Sequence, residues 1–207
     1  TIFVEFSDYI MAVDANNGRN EGLARRINKF RELVPNKPIK YVSISHQHHD
    51  HLDQVPHYAK QGTKIITAKP FIPLITKRVN EVYDDESVKP TFEVVNKKRI
   101  YADDSQRVEI YELKNMLHAE TMLMTYFPDE KLIYLPDHYE EMYLTENHHE
   151  IRALLAEIKG LGLNVKGFIQ GHGNDIYSLA TIKSALAHPI KMEGFRRQPH
   201  QSVTHSE

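Results

Sequence analysis

Apolar residues recur along the chain in two rhythms. Ile2, Val4 and Phe6 alternate with polar neighbours, and a second apolar run, Ile10, Met11 and Val13, follows closely. This predicts a hairpin of two strands over 1–15, turning at Ser7-Asp8. After the turn signal Asn16-Asn17-Gly18, apolar residues return at helical spacing as Leu23, Ile27, Phe30 and Val34. A helix is therefore expected over 20–34, ended by Pro35 and Pro38. A short β-branched strand follows over 39–45. The pattern then predicts a helix over 52–61 perturbed by Pro56, a strand over 64–67, a helix over 71–79 and a solvated loop over 84–87. Strands dominate from 91 to 135, at 92–95, 107–113, 122–127 and 132–135, the last two joined by the Pro128-Asp129-Glu130 turn. Asn147 and Glu150 have the spacing of a capping pair. They precede a helix with Ile151, Leu154, Leu155 and Ile158 on one face. A strand over 165–170 and a helix carrying Leu179, Ile182 and Leu186, stopped by Pro189, complete the series.

That order is a layered α/β pattern with helices outside sheets. No repeat, linker or low-complexity block divides it. One domain is expected over 1–197, with a polar, disordered tail over 198–207. A chain of 207 residues suits a single large domain. Charge adds little, since 26 basic and 28 acidic residues leave a formal net charge of -2. No basic excess is present to meet a phosphate backbone, so nucleic acid is not an expected partner. No apolar run is long enough to span a bilayer and no signal-peptide pattern is present, so no membrane partner is expected. The absence of cysteine excludes disulfides, thiolate ligands and a cysteine nucleophile but leaves the compartment open. Nothing in the pattern sets an oligomeric state.

Histidine changes the picture. There are 13, and four of them fall within His46-Gln47-His48-His49-Asp50-His51, directly after the strand over 39–45. In an extended segment, residues two apart point the same way, so His46 and His48 can hold one metal. Asp50 and His51, beyond the turn, can face a second. Neutral imidazole and carboxylate are the ligands that zinc prefers. His118, Asp137 and His172 each follow a predicted strand. Any one alone reads as an ordinary loop residue, but strand ends on one sheet edge converge, and loops there carry sites.

Together these residues resemble the metallo-β-lactamase superfamily, whose signature is His-x-His-x-Asp-His followed by a distant His, Asp and His. All seven positions are filled in order. The resemblance implies a four-layer αββα sandwich whose first strand or strands precede Thr1. It implies that His46, His48 and His118 bind one zinc, that Asp50, His51 and His172 bind the other, and that Asp137 bridges them together with a hydroxide. The two zincs activate that hydroxide and stabilise the oxyanion formed on an ester, thioester, lactone or amide carbonyl of a small-molecule substrate. Asp50 also orients the nucleophile or takes its proton. Iron or manganese are the alternative metals. Asp14 resembles the acidic residue that ends an early strand in the family, structural and not a ligand. Tyr139, two residues beyond Asp137, reads first as an ordinary packing tyrosine and second as a hydrogen-bonding partner for a substrate carbonyl. His49, His138, His148 and His149 are expected to be exposed non-ligands.

The chain departs from the family in two places. Leu52-Asp53-Gln54 stands where a Gly-Gly pair is frequent, and Pro136 precedes Asp137 where Gly is common. Asp137 argues against a dedicated β-lactamase of the His-rich subclass, which normally lacks it. The stretch after His172 is short for the helical glutathione domain of many glyoxalase II enzymes. Two other function classes stand beside the hydrolase: a mononuclear-iron persulfide dioxygenase and a non-catalytic metal-binding module.

Overall fold

The computed structural model describes residues 1–15, 20–83, 88–138, 148–173 and 175–187. The expected turn at 16–18, the loop at 84–87, Asn147, Pro189 and the tail lie outside them. Five strands form the first sheet in the order β1 (Ile2–Glu5), β2 (Ile10–Val13), β3 (Ile39–Ser43), β4 (Lys64–Ala68) and β5 (Phe92–Val95). β1 and β2 are the predicted hairpin, antiparallel, with its turn closed by the Phe6 N–H on the Tyr9 carbonyl. The other neighbours are parallel. Parallel strands are covered on both faces and read as continuous apolar runs, as β2 does with all four residues buried.

The second sheet has six strands, ordered β11 (Ile176–Ser178), β10 (Gly167–Ile169), β9 (Leu132–Tyr134), β8 (Thr121–Phe127), β7 (Arg107–Lys114) and β6 (Lys98–Ala102). Only β9 and β10 run parallel. All seven residues of β8 are buried, and the strand's two-residue period explains it. Leu123 and Phe127 pack into the core shared with the first sheet, together with Val108, Ile110 and Tyr134. Met122, Met124 and Tyr126 face the other way, into a second core. There they meet Ile151, Leu154 and Ile158 of α5 (His149–Gly160) and Ile182 of α6 (Leu179–Ala187). α1 (Asn20–Leu33), α3 (Val55–Lys60) and α4 (Ile72–Val82) add Ile27, Tyr58, Ile75 and Val79 to the first core. Two mixed sheets with helices on their outer sides make the four-layer sandwich.

The elements differ from the expectation in four places. The helix expected over 52–61 is two helices, α2 (His49–Leu52) and α3, broken at Asp53-Gln54. Pro56 lies in the first turn of α3, where its missing N–H costs nothing. The strand expected over 165–170 is confined to β10. The residue before α5 is His148, which makes no side-chain cap. β6 and β11, the two edges of the second sheet, were not expected at all.

Candidate metal centre

The strand ends deliver the site. β2 runs into Asp14, β3 into Ser45 and His46, β9 into Asp137, and β10 into the loop bearing His172. The loop between β7 and β8 carries His118 and is closed by the Asn115 N–H on the Glu120 carbonyl at 2.7 Å. The Leu123 N–H donates to the Ser45 carbonyl at 2.6 Å, so the segment leading to His46 is tied to β8 of the other sheet. Asp14 and Asp137 both hold the left-handed backbone conformation, with φ of 67° and 65°. That region is uncommon for residues other than glycine, and aspartate tolerates it better than most.

Six of the seven expected ligands fall into two groups, and the seventh reaches both. The Nε2 atom of His118 lies 3.2 Å from Nε2 of His46 and 3.0 Å from Nδ1 of His48. Oδ2 of Asp50 lies 3.2 Å from Nε2 of His51 and 3.3 Å from Nε2 of His172. Asp137 stands between them. Its Oδ2 is 3.3 Å from His46, 3.2 Å from His51 and 3.3 Å from His118, and its Oδ1 is 2.9 Å from His172. Three overlapping clusters have the closeness of a metal site: His46, His48 and His118; His46, His51 and Asp137; Asp50, His51 and His172.

Asp14 controls the ring nitrogens from behind. Fully buried, it accepts from His51 Nδ1 at 2.5 Å and from the Tyr134 hydroxyl at 2.7 Å. Its other oxygen accepts from the Ser45 hydroxyl at 3.2 Å. That hydroxyl lies 3.1 Å from His46 Nδ1. A hydroxyl that donates its one proton to a carboxylate can only accept from the imidazole, which assigns the His46 proton to Nδ1. Both His46 and His51 are thereby oriented with Nε2 toward the Asp137 carboxylate. His51 Nε2 is buried and makes no hydrogen bond, although carboxylate oxygens of Asp50 and Asp137 stand at 3.2 Å. Lone pairs converging in this way repel unless a cation sits among them, so the donor set fits a divalent metal. The spacing fits too, because nitrogens at zinc–ligand length in a tetrahedron lie roughly 3.3 Å apart.

The titration behaviour carries the same message. Burial, with the His51 charge beside it, lowers the His46 pKa to about 3. Burial also pulls His51 down, but the Asp14 carboxylate outweighs it and raises the pKa to about 10. Burial opposes ionisation of Asp137, yet the imidazoles of His118, His172 and His51 around it hold its carboxyl well below the ordinary range. The pocket between these groups thus calls for positive charge, and proton and metal compete for the same lone pairs.

Other residues divide. Tyr139 lies outside the described residues. His49 is exposed, as expected, and so is His149. His138 and His148 correct the expectation, being 0% and 4% exposed. His138 packs behind His118, with its Nδ1 on the Pro136 carbonyl at 2.9 Å, and burial lowers its pKa to about 4. Glu150 also turns inward, its Oε2 buried without a hydrogen bond among the described residues, and burial raises its pKa. Sequence reasoning missed Ser45 and Tyr134, which complete the Asp14 network. Ser45 is flagged only by its place beside His46, and nothing local marks Tyr134.

No sequence-family model matches the chain, and no curated protein sequence matches it. Solved structures do match. A metallo-β-lactamase from Pontibacter korlensis superposes with a TM-score of 0.64 at 15% identity, over 89% of this chain and 84% of that one. The metallo-β-lactamase FIM-1 from Pseudomonas aeruginosa, in its mono-zinc form, gives 0.59 at 15% identity over 89% and 80%. TMB-1 gives 0.62 at 13% identity over 89% and 82%. Identity this low speaks for the architecture, and the architecture is clear: the chain has the metallo-β-lactamase fold, with His/Asp clusters of metal-site character at its strand ends.

Proposed function

We propose that the protein is a dinuclear zinc-dependent hydrolase acting on an ester, thioester, lactone or amide carbonyl of a small molecule. The observation that carries this reading is the position of Asp137, one carboxylate within 3.3 Å of nitrogen atoms from both groups. In this reading His46, His48 and His118 hold one metal, Asp50, His51 and His172 hold the other, and Asp137 is shared. The mono-zinc form of FIM-1, a protein of the same fold, supports zinc as the metal. Two such ions supply a water that ionises near neutral pH and a Lewis acid for the carbonyl oxygen.

The chain's own residues do the rest. Asp14 holds the His51 proton at Nδ1, and Ser45 holds that of His46, so both rings present Nε2 as ligand. Asp50 turns Oδ2 toward His51 and His172 and keeps Oδ1 for a proton, at 3.9 Å from His49. Its side chain is one-quarter exposed, which lets it receive a proton from an attacking water and release it to solvent. His172 is 37% and His118 17% exposed, so a substrate reaches the centre between them.

Elemental analysis of the purified protein tests this first. About two zinc ions per chain are expected, together with turnover of simple esters or thioesters. His118→Ala and Asp137→Asn should each lower metal content and abolish turnover, with the circular dichroism spectrum kept. Unchanged metal content in both variants refutes the ligand assignment. About one iron per chain with oxygen uptake on a persulfide replaces the hydrolase by a dioxygenase.

A further inference from the structure

The turn of chain that carries two of the candidate ligands cannot hold itself in place. α2 is four residues long, and Asp50 and His51 are its second and third. A single turn of helix fixes several dihedral angles for one hydrogen bond, so it persists only where tertiary contacts secure it. His48, at its N-cap, makes no side-chain cap. The turn is closed by the His51 N–H on the His48 carbonyl at 3.1 Å. Leu52, 3% exposed, anchors one side in the core.

The C-terminal end is held from outside. Asp53 is the C-cap residue, and its Oδ1 accepts from Nη2 of Arg78 at 2.9 Å. Arg78 lies 25 residues on, in α4. That helix is firmly seated, because Ile75 and Val79, which flank Arg78 in sequence, are fully buried. The Asp53 side chain is 21% exposed and that of Arg78 40%, so the pair is partly shielded from water. The guanidinium is steadied in turn by Glu81, whose Oε2 is 3.7 Å from Nη1. Its planar fork presents donors at fixed angles, so the bond sets direction as well as distance. Lys77, beside it, pairs along α4 with Glu81 at 3.8 Å. Asp53 lies about one helical turn from Asp50, so movement at one end of α2 is movement at the other. Metal–ligand lengths tolerate only about 0.2 Å, which a rocking turn would exceed.

We propose that Arg78 is a positioning residue of the metal centre, holding α2 through Asp53 so that Asp50 and His51 meet His172. The inference rests on the two-metal reading. His46, His48 and His118 all lie outside α2, so the other group does not depend on this brace.

Zinc titrated against a chromophoric chelator resolves the two binding steps. In Arg78→Ala one constant should weaken about fivefold, the size expected of a partly exposed charge pair, while the other stays within about a factor of two of wild type. Asp53→Asn should do the same, and the double variant should be no worse than either single one. Arg78→Lys, which keeps the charge without the fork, should recover part of the loss. Lys77→Ala, on the same helix, should leave both constants at their wild-type values. A second readout needs no metal. The His51 Nδ1 proton is buried against Asp14 and should exchange slowly in NMR spectra of the metal-free protein. Arg78→Ala should speed that exchange about fivefold, and Lys77→Ala should not. Unchanged zinc binding, equal weakening of both steps, additive effects of Asp53→Asn and Arg78→Ala, the same losses in Lys77→Ala, or unchanged proton exchange in Arg78→Ala each overturn the proposal. Failure of the two-metal reading looks different: the wild-type protein binds no zinc, and the His51 proton still decides the part of Arg78.

Discussion

Asp14 ties the two halves of the centre together at the scale of single residues. It touches one ring from each group, His51 directly and His46 through Ser45. Tyr134 and the buried surroundings hold the carboxylate in place, and the His51 charge and hydrogen bonds lower its pKa against the pull of burial. On the dinuclear reading proposed above, removing its charge should therefore affect both metal positions without removing a ligand. Asp14→Asn is expected to weaken zinc binding by about 10–100-fold, read by competition with a chromophoric chelator. Affinity within a factor of about two of wild type would mean that the rings are oriented by packing alone. Asp14 stands out in the sequence only as an acid closing an apolar strand. Its partner Tyr134 is 120 residues away, a separation that no local pattern reveals.

At the scale of elements, the edges of the second sheet were the hardest to read. β6 exposes Lys98, Arg99, Ile100 and Ala102 and buries only Tyr101, so the alternation that marks a half-buried strand is absent. Charged residues on an edge strand discourage pairing with other chains, at the cost of a legible pattern. Glu109 of β7 binds this edge: Lys98 Nζ is 2.7 Å from its Oε2, and Arg107 and Tyr111 bond the same carboxylate. Burial raises its pKa, but these hydrogen bonds outweigh it and bring the value to about 2. A folded pKa below the unfolded one, roughly 4.3, gives stability that is complete above the unfolded value and lost as pH falls toward 2. Glu109→Gln should therefore narrow its Tm deficit relative to wild type between pH 5 and pH 2.5. A deficit constant across that range would show that the carboxylate's charge is not what the edge uses.

For the whole molecule, the candidate centre lies where both sheets end, so a metal bound there would be linked to the fold. The candidate ligands come from the end of β3 and from α2 on one side, and from the β7–β8 loop and the ends of β9 and β10 on the other. Removing bound zinc with a chelator should lower Tm, and adding zinc should restore it, because a ligand that binds only the folded state stabilises it by mass action. A Tm indifferent to chelation would leave the clusters to be explained as proton-bridged networks.

The sequence by itself determined the apolar strands and amphipathic helices of the interior, because burial on one or both faces imposes a period that any window of residues displays. It also marked the seven residues that the structure brings together, through four potential ligands within 46–51 and three more at strand ends. Only the tertiary structure decided how they meet. Distances near 3 Å between residues 70 to 120 positions apart depend on the register of two sheets and on Ser45 being bonded to Leu123. It also decided the burial of His138 and His148, the Asp14 network and the pairing of Arg78 with Asp53. These arise between segments distant along the chain, where no local periodicity operates.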